Sequence, residues 1–193
     1  MKQPPHSHAA TPALLSIRIR KMTTLAVLVA LGVILSPILR VPGMAPMQHL
    51  INVICAVLLG PWYALACAVM IAVIRMFFMG INLLAVTGAI FGAVLSGLLY
   101  RASHRLLGAV LGEIVGTGIL GAIASYPVMV LFYGSTDLTW LSYVPSFLAG
   151  TIIGGFAAFL LLSVLQRGGL LEKFQRALGP CPPSVQSSPQ EKY

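Results

Sequence analysis

Apolar residues follow one another along this chain in six nearly continuous blocks, which polar or Gly/Pro-containing segments separate. The blocks cover residues 23–39, 47–59, 61–78, 83–100, 106–132 and 138–165. Several reach about 18 residues, the length that a helix needs to cross a hydrocarbon core roughly 30 Å thick. They lack the apolar–polar alternation of barrel strands, and backbone groups in lipid must be paired internally. The pattern therefore predicts an all-α integral membrane protein, a bundle of six transmembrane helices.

Composition agrees with this prediction and excludes other classes of protein. The chain is 58% hydrophobic and 8% charged, with a mean hydropathy of +0.94, whereas a soluble domain is typically about 25% charged. The net charge of +8 lies between the blocks, so it does not indicate a nucleic-acid partner. The three cysteines form no CxxC or Cys/His cluster, and we expect no metal site and no cofactor.

The distribution of basic residues predicts the orientation in the membrane. With the N-terminus inside, the inner segments contain ten of the twelve Lys and Arg residues: Lys2, Arg18, Arg20, Lys21, Arg101, Arg105, Arg167, Lys173, Arg176 and Lys192. The outer segments contain only Arg40 and Arg75. Both termini are predicted to be cytoplasmic, in a multi-pass protein of the cell membrane. We expect a disordered cytoplasmic lead over 1–21, the membrane domain over 22–165, and a cytoplasmic tail over 166–193.

The second block is too short to cross the membrane alone. Its 13 residues, 47–59, make a helix about 20 Å long, and the segment before it, "RVPGMAP" at 40–46, is rich in helix breakers. Short segments interrupted by Pro and Gly often mark the binding site of a transporter. The pattern predicts that residues 40–46 dip into the membrane and cover a pocket.

Three polar residues begin this short block. Gln48, His49 and Asn52 are spaced so that they project from one side of the first helical turns, next to unpaired N–H groups and positive potential at the helix N-terminus. They are candidates for binding a polar or anionic ligand group. The alternative is that they cap the helix and meet lipid headgroups.

Three further residues are candidate ligand contacts. Arg75 either extends to the interface or reaches the pocket. Glu113 is the only acidic residue inside an apolar block, which makes it a functional candidate, although its position in the fifth block predicts a location nearer the inner surface. Tyr126 has a more suitable depth but lies about 140° around a straight helix from Glu113. The alternative partners of Glu113 are the arginines of the inner surface, Arg101, Arg105 and Arg167.

Small residues one helical turn apart predict where helices approach each other closely. Such spacings occur in the fourth, fifth and sixth blocks, at Gly88/Gly92, Gly108/Gly112/Gly116 and Gly150/Gly154/Ala158. We interpret these as packing contacts within the bundle. Ala26 and Ala30 form a similar pair in the first block, where they could equally face another protein.

Three runs resemble the ThiW family: "APMQHLINVICAVLLGPWYALACAVMIAVIR", "GEIVGTGILGA" and "YVPSFLAG". The resemblance covers about residues 22–165. It implies the substrate-binding S component of an energy-coupling factor (ECF) transporter, which captures the thiazole precursor of thiamin, hydroxyethylthiazole, in an outward-facing pocket. It also implies a transmembrane T component and two ABC ATPases as partners, with Ala26 and Ala30 as the docking surface for the T component. The sequence Val86-Thr87-Gly88 departs from the Phe-Pro-Gly expected in this family, and this departure bears on the ligand.

Other functions are weighed against this one. The ligand could be another small vitamin precursor, such as the thiamin pyrimidine. An intramembrane enzyme could use His49 and Glu113, but the blocks contain no second acid and the chain has no His-x-x-x-His pattern, so we expect no catalysis. A structural subunit without a ligand would leave the polar cluster of the second block unexplained. The chain has no phosphate-binding P-loop, which favours dependence on a partner ATPase.

Overall fold

The computed structural model describes residues 10–38, 45–135 and 137–179, with side chains from residue 15 onward. These residues form seven helices: α1 (Ala10–Leu35), α2 (Pro46–Leu59), α3 (Pro61–Met79), α4 (Leu84–Ser103), α5 (Leu106–Tyr133), α6 (Val144–Arg167) and α7 (Leu170–Ala177). The all-α prediction is confirmed. Within the described ranges, α3, α4, α5 and α6 are long and apolar enough to cross a membrane, and α2 is a shorter apolar helix. The protein is therefore a multi-pass membrane protein, while the count of six spans stays a prediction.

The predicted boundary between a disordered lead and the membrane domain, at residues 21 and 22, is wrong. Residues 10–21, expected to be disordered, are the beginning of α1, because apolar residues such as Ile17 and Ile19 are spaced among the arginines and a helix tolerates both. Residues 1–9 of the expected lead lie outside the described residues, as do residues 40–44 of the expected pocket cover and residues 180–193 of the tail. Within the tail, residues 170–177 form α7.

The predicted start of the last span is also too early. Residue 138 was expected to start it, but α6 starts at Val144. A turn precedes it, in which the Thr139 N–H donates to Ser142 Oγ at 2.8 Å and the Ser142 N–H donates to the Thr139 carbonyl at 3.1 Å. Pro145 then occupies the first turn of α6, where its missing N–H has no helical partner to lose.

Helix α5 contains an irregular turn. Residues Gly116–Gly121 are π-helical, between α-helical segments at Leu106–Val115 and Ala122–Tyr133. Pro127 was expected to kink or end this helix; the helix continues past it to Tyr133. Proline removes one backbone donor, and the preceding π turn is where the helix departs from regular geometry.

The glycines of α5 bring it against α4. A Cβ added to Gly112 would lie 2.6 Å from the Ser96 backbone, and one added to Gly116 would lie 2.6 Å from the Gly92 Cα. Only glycine permits backbones to approach this closely. The predicted packing within the bundle is confirmed for these residues.

The second helix is held in the middle of the bundle. Gly60, at φ 90°, is the single residue between α2 and α3, so these helices form a tight pair. At the other end of α2, a Cβ on Gly154 of α6 would collide with the Pro46 carbonyl and lie 2.9 Å from the His49 Cβ. The start of α2 is therefore enclosed by protein, which allows polar side chains there to be buried.

Candidate functional site

A cavity of about 240 Å³ opens where the start of α2 meets the end of α3, the start of α4 and the start of α6. Its polar lining consists of Gln48, His49, Arg75, Asn82, Thr117 and Tyr143. Apolar side chains complete the wall, among them Ile81, Leu84, Ala85 and Phe147. A partly apolar cavity with a few converging polar groups is the usual form of a small-molecule site.

The polar residues at the head of α2 point into the bundle. Gln48, His49 and Asn52 are all buried, with 3%, 7% and 0% of their surface exposed. No side chain caps the α2 N-terminus by a hydrogen bond, and its N-cap residue is Ala45. The geometry thus departs from the alternative in which these side chains cap the helix at the membrane surface.

Glu113 lies at the centre of a buried hydrogen-bond network. Its Oε1 accepts three hydrogen bonds: from His49 Nδ1 at 2.9 Å, from Asn52 Nδ2 at 3.0 Å and from Thr117 Oγ1 at 3.1 Å. The Glu113 side chain is completely buried. Within the described part of the chain it forms no ion pair with the arginines proposed as its alternative partners, Arg101, Arg105 and Arg167.

This network sets the orientation of the histidine ring. The ring nitrogen that faces Glu113 is Nδ1, at 2.9 Å from Oε1. The other ring nitrogen, Nε2, is then left for contacts on the cavity side. Glu113 and Asn52 are not among the residues that line the cavity; their connection to it runs through His49 and Thr117.

A glycine on α4 makes room for the carboxylate. A Cβ on Gly92 would lie 2.8 Å from Glu113 Oε2 and would collide with Thr117 Oγ1. Thr117 is one turn beyond Glu113 and is the second residue of the π turn. Its hydroxyl both borders the cavity and donates to Glu113. The close approach of α4 and α5 therefore shapes the floor of the site.

Arg75 reaches the cavity and does not extend to the surface. Its side chain is 3% exposed, and Nη1 donates to Gln48 Oε1 at 2.8 Å. Of the described residues that line the cavity, none is acidic. The cavity consequently contains a permanent positive charge, which favours electron-rich ligand atoms.

The structure does not place Tyr126 at this cavity. Its ring centroid lies 4.4 Å from that of Trp140, and Tyr126 is absent from the cavity wall. A ligand-binding role for Tyr126 stays a prediction that this geometry does not favour.

Two aromatic residues at the start of α6, Tyr143 before its first residue and Phe147 within it, are not among the site residues that the sequence predicts. Tyr143 and Phe147 line the cavity, with ring centroids 6.1 Å apart. Burial raises the pKa of Tyr143, so its phenol keeps its proton and can donate a hydrogen bond. The available signal was their spacing of four residues in "YVPSFLAG", which places both rings on one side of a helix.

The segment that departs from the family pattern borders the same cavity. Gly88 lines it, and a Cβ on Gly88 would lie 2.7 Å from the Phe147 ring. The neighbouring Thr87 Oγ1 is hydrogen-bonded to Ser125 Oγ at 2.7 Å. Of this segment, Gly88 agrees with the family pattern and lines the cavity, whereas the departing residues Val86 and Thr87 precede it and are not among the lining residues.

Comparison with known proteins supports one family. The model of the family described as thiamine-precursor transporter protein (ThiW) matches residues 22–168. No curated protein and no solved structure matches the chain. The match extends over well more than half of the sequence and includes the cavity and the Glu113 network. The chain belongs to the ThiW family of thiamine-precursor transporter proteins.

Proposed function

We propose that this protein is the S component of an ECF-type importer and captures the thiazole precursor of thiamin, hydroxyethylthiazole. The observation that carries the proposal is the buried network of His49, Asn52, Thr117 and Glu113 beneath a cavity in a chain of the ThiW family. A bundle that needed only to be stable would gain little from a buried carboxylate. Such a network is typical of a site that must hold a side chain in one orientation.

The size and lining of the cavity suit a small heterocycle. Pockets for drug-sized ligands hold about 300–1,000 Å³, and this cavity holds about 240 Å³. In the proposed complex, Tyr143 and Phe147 contact the ring face, and His49 Nε2 hydrogen-bonds the ligand hydroxyl. Each such bond contributes about 0.5–1.5 kcal/mol net, so tight capture also depends on the apolar wall.

The residues divide into direct contacts and positioning residues. His49, Gln48, Arg75 and Tyr143 line the cavity and are proposed to touch the ligand. Glu113 is proposed to fix the orientation of the His49 ring through the hydrogen bond to Nδ1. This arrangement disfavours the alternative of an intramembrane enzyme, because the only acid of the network does not reach the cavity.

The thiamin pyrimidine is retained as an alternative ligand. The observation in its favour is that the departing residues Val86 and Thr87 directly precede Gly88, which packs against Phe147 at the cavity wall. A changed turn there would alter the shape available to the ring. Direct competition between the two precursors distinguishes the two ligands.

The proposal predicts that the head of α2 determines affinity. His49→Ala and Asn52→Ala should each weaken ligand binding about tenfold or more, the scale of one lost hydrogen bond together with an unpaired buried group. Binding is measured by calorimetry on the purified protein. The control is His104→Asn, which changes an exposed histidine at the far end of α4, at a positive φ of 52° that asparagine tolerates. Parent-like affinity in both correctly folded α2 variants would place the ligand elsewhere.

We also propose the orientation with both termini in the cytoplasm. The split of ten basic residues against two supports it, as does the hydrogen bond from Arg20 Nη1 to the Ala177 carbonyl, which joins the basic ends of α1 and α7. A cysteine replacing Asp137, in a background without the natural cysteines, should react with an impermeant reagent in intact cells. Labelling only after permeabilisation would reverse the orientation.

The proposed partners are a transmembrane T component and two ABC ATPases, in contact with α1. Ala26 and Ala30 are exposed, whereas Leu28, on the other side of α1, is buried. The small side chains therefore face away from the bundle, where a partner helix can approach closely.

A further inference from the structure

A second cavity lies at the opposite end of α2 from the candidate site. It also holds about 240 Å³, and it is enclosed by the α2–α3 junction at Gly60, the end of α4, the first half of α1 and α7. The residues that matter for its chemistry are Lys21, Trp62, Tyr63 and Arg101. None of them takes part in the Glu113 network or lines the first cavity.

Two cations line this cavity without acidic neighbours. Lys21 comes from α1 and Arg101 from the last turn of α4, and Lys21 Nζ lies 5.9 Å from the centroid of the Tyr63 ring. No acid is found among the described lining residues. The acidic residue of α7, Glu172, forms an ion pair with Arg176, with Oε2 and Nη2 3.4 Å apart. The cavity is therefore positively charged.

The neighbouring helix α7 has the character of an interfacial helix. Leu171 is buried in the bundle, and Gln175 Nε2 donates to the Val57 carbonyl at 3.1 Å, which fixes α7 beside the end of α2. Leu170 and Phe174, one turn apart, remain about half exposed, at 48% and 51%, while Lys173 is exposed as well. An amphipathic helix with exposed apolar and basic residues lies in the plane of the membrane interface.

The position of Trp62 also indicates that the cavity lies at the membrane interface, as α7 does. It lies at the cavity rim in the first turn of α3 and is 69% exposed. Tryptophan is enriched where lipid headgroups meet the hydrocarbon core, because its ring is amphipathic. The cavity thus opens at headgroup level, with apolar side chains on both sides that can contact acyl chains.

We propose that this cavity binds the phosphate headgroup of an anionic phospholipid, held by Lys21 and Arg101. Basic pockets between transmembrane helices at the membrane surface bind phosphate-bearing lipid headgroups. General attraction of surface charges to an anionic membrane would involve every basic residue at this end of the bundle. The proposal differs in assigning lipid selectivity to the two cations that share a cavity.

The test compares two charge-removing variants of the full chain. Delipidated protein in detergent is titrated with phosphatidylglycerol and with phosphatidylcholine, and bound lipid is counted by native mass spectrometry. The parent should prefer phosphatidylglycerol, and Lys21→Gln/Arg101→Gln should lose about thirtyfold of that preference. The matched control, Arg18→Gln/Arg105→Gln, removes two charges from exposed positions at the same end of the bundle and should keep it. An equal loss in the control would overturn the proposal.

A charge-conserving variant, a soluble competitor and co-purification test the lipid assignment further. Lys21→Arg/Arg101→Lys should retain the preference, which separates charge from damage to the fold. Soluble glycerol phosphate should not displace the lipid at equal concentration; equal competition would identify a soluble phosphate ligand and overturn the lipid assignment. If the glutamine pair prevents co-purification with an ATPase module while lipid preference is unchanged, the surface is a protein interface and the proposal is wrong.

Discussion

Replacing Glu113 with alanine should abolish ligand capture and destabilise the bundle. Its Oε1 is the acceptor for His49, Asn52 and Thr117, so its removal leaves three buried donors without a partner. Each unsatisfied buried group costs about 1–3 kcal/mol, and the freed His49 ring no longer has one fixed orientation. We expect affinity to fall by more than about a hundredfold, with a lower melting temperature measured on the same detergent sample.

Two comparison variants make this result interpretable. Glu113→Gln keeps a carbonyl acceptor in a side chain of similar shape, and its amide nitrogen can take the place of Oε2, which has no hydrogen-bond partner among the described residues. It should fold better than the alanine variant and bind the ligand more tightly than that variant does, but more weakly than the parent, because a neutral carbonyl accepts weaker hydrogen bonds than a carboxylate. Glu172→Ala removes an exposed acid whose ion pair with Arg176 lies on the surface and contributes about 0–1 kcal/mol. It should behave like the parent. Affinity within tenfold of the parent in a folded Glu113→Ala variant would contradict the positioning role.

Replacing Ala26 and Ala30 together with leucine should abolish uptake and leave ligand binding nearly intact. The added side chains would hold a partner helix several ångströms away and remove the close packing that small residues permit. Binding should survive, because both alanines are exposed and neither lines the first cavity. The measurements are uptake in cells that contain the ATPase module, co-purification with that module, and ligand binding by the isolated variant.

The control adds bulk to a different exposed surface. Ile152 and Phe156, one turn apart on α6, are 53% and 61% exposed, and replacing both with tryptophan should not affect uptake. Loss of ligand binding by the Ala26/Ala30 variant in detergent would mean that the pair packs internally. Normal uptake by that variant would show that α1 is not the coupling surface.

Helix boundaries were predictable where proline or glycine marks them in the sequence. Pro61 after Gly60 marks the start of α3 to the residue, since proline suits a first turn and glycine the preceding positive φ. The predicted starts of α1 and α6, which no such pair marks, were wrong. The arginines in the first half of α1 obscured a helix that begins at Ala10. Leu138, Trp140 and Leu141 are apolar and resemble the start of a span, but they precede α6, which begins at Val144.

The site was predictable in part. The spacing of Gln48, His49 and Asn52 places them on one side of a helix, and the structure buries all three. The contact between Glu113 and this group was not predictable, because the start of the fifth block predicts a location for Glu113 nearer the inner surface than Gln48 and His49. It depends on the space that Gly92 leaves for the carboxylate, which is a property of the packing between α4 and α5.

The most direct test of the central claim is a calorimetric titration of the purified protein with hydroxyethylthiazole, in the absence of nucleotide and of any partner. Because the cavity and its network are formed within this single chain, we predict saturable binding of one ligand per protein, with an affinity at least tenfold higher than for the thiamin pyrimidine. Absence of binding, or tighter binding of the pyrimidine, would contradict the assignment of this chain as the subunit that captures the thiazole precursor.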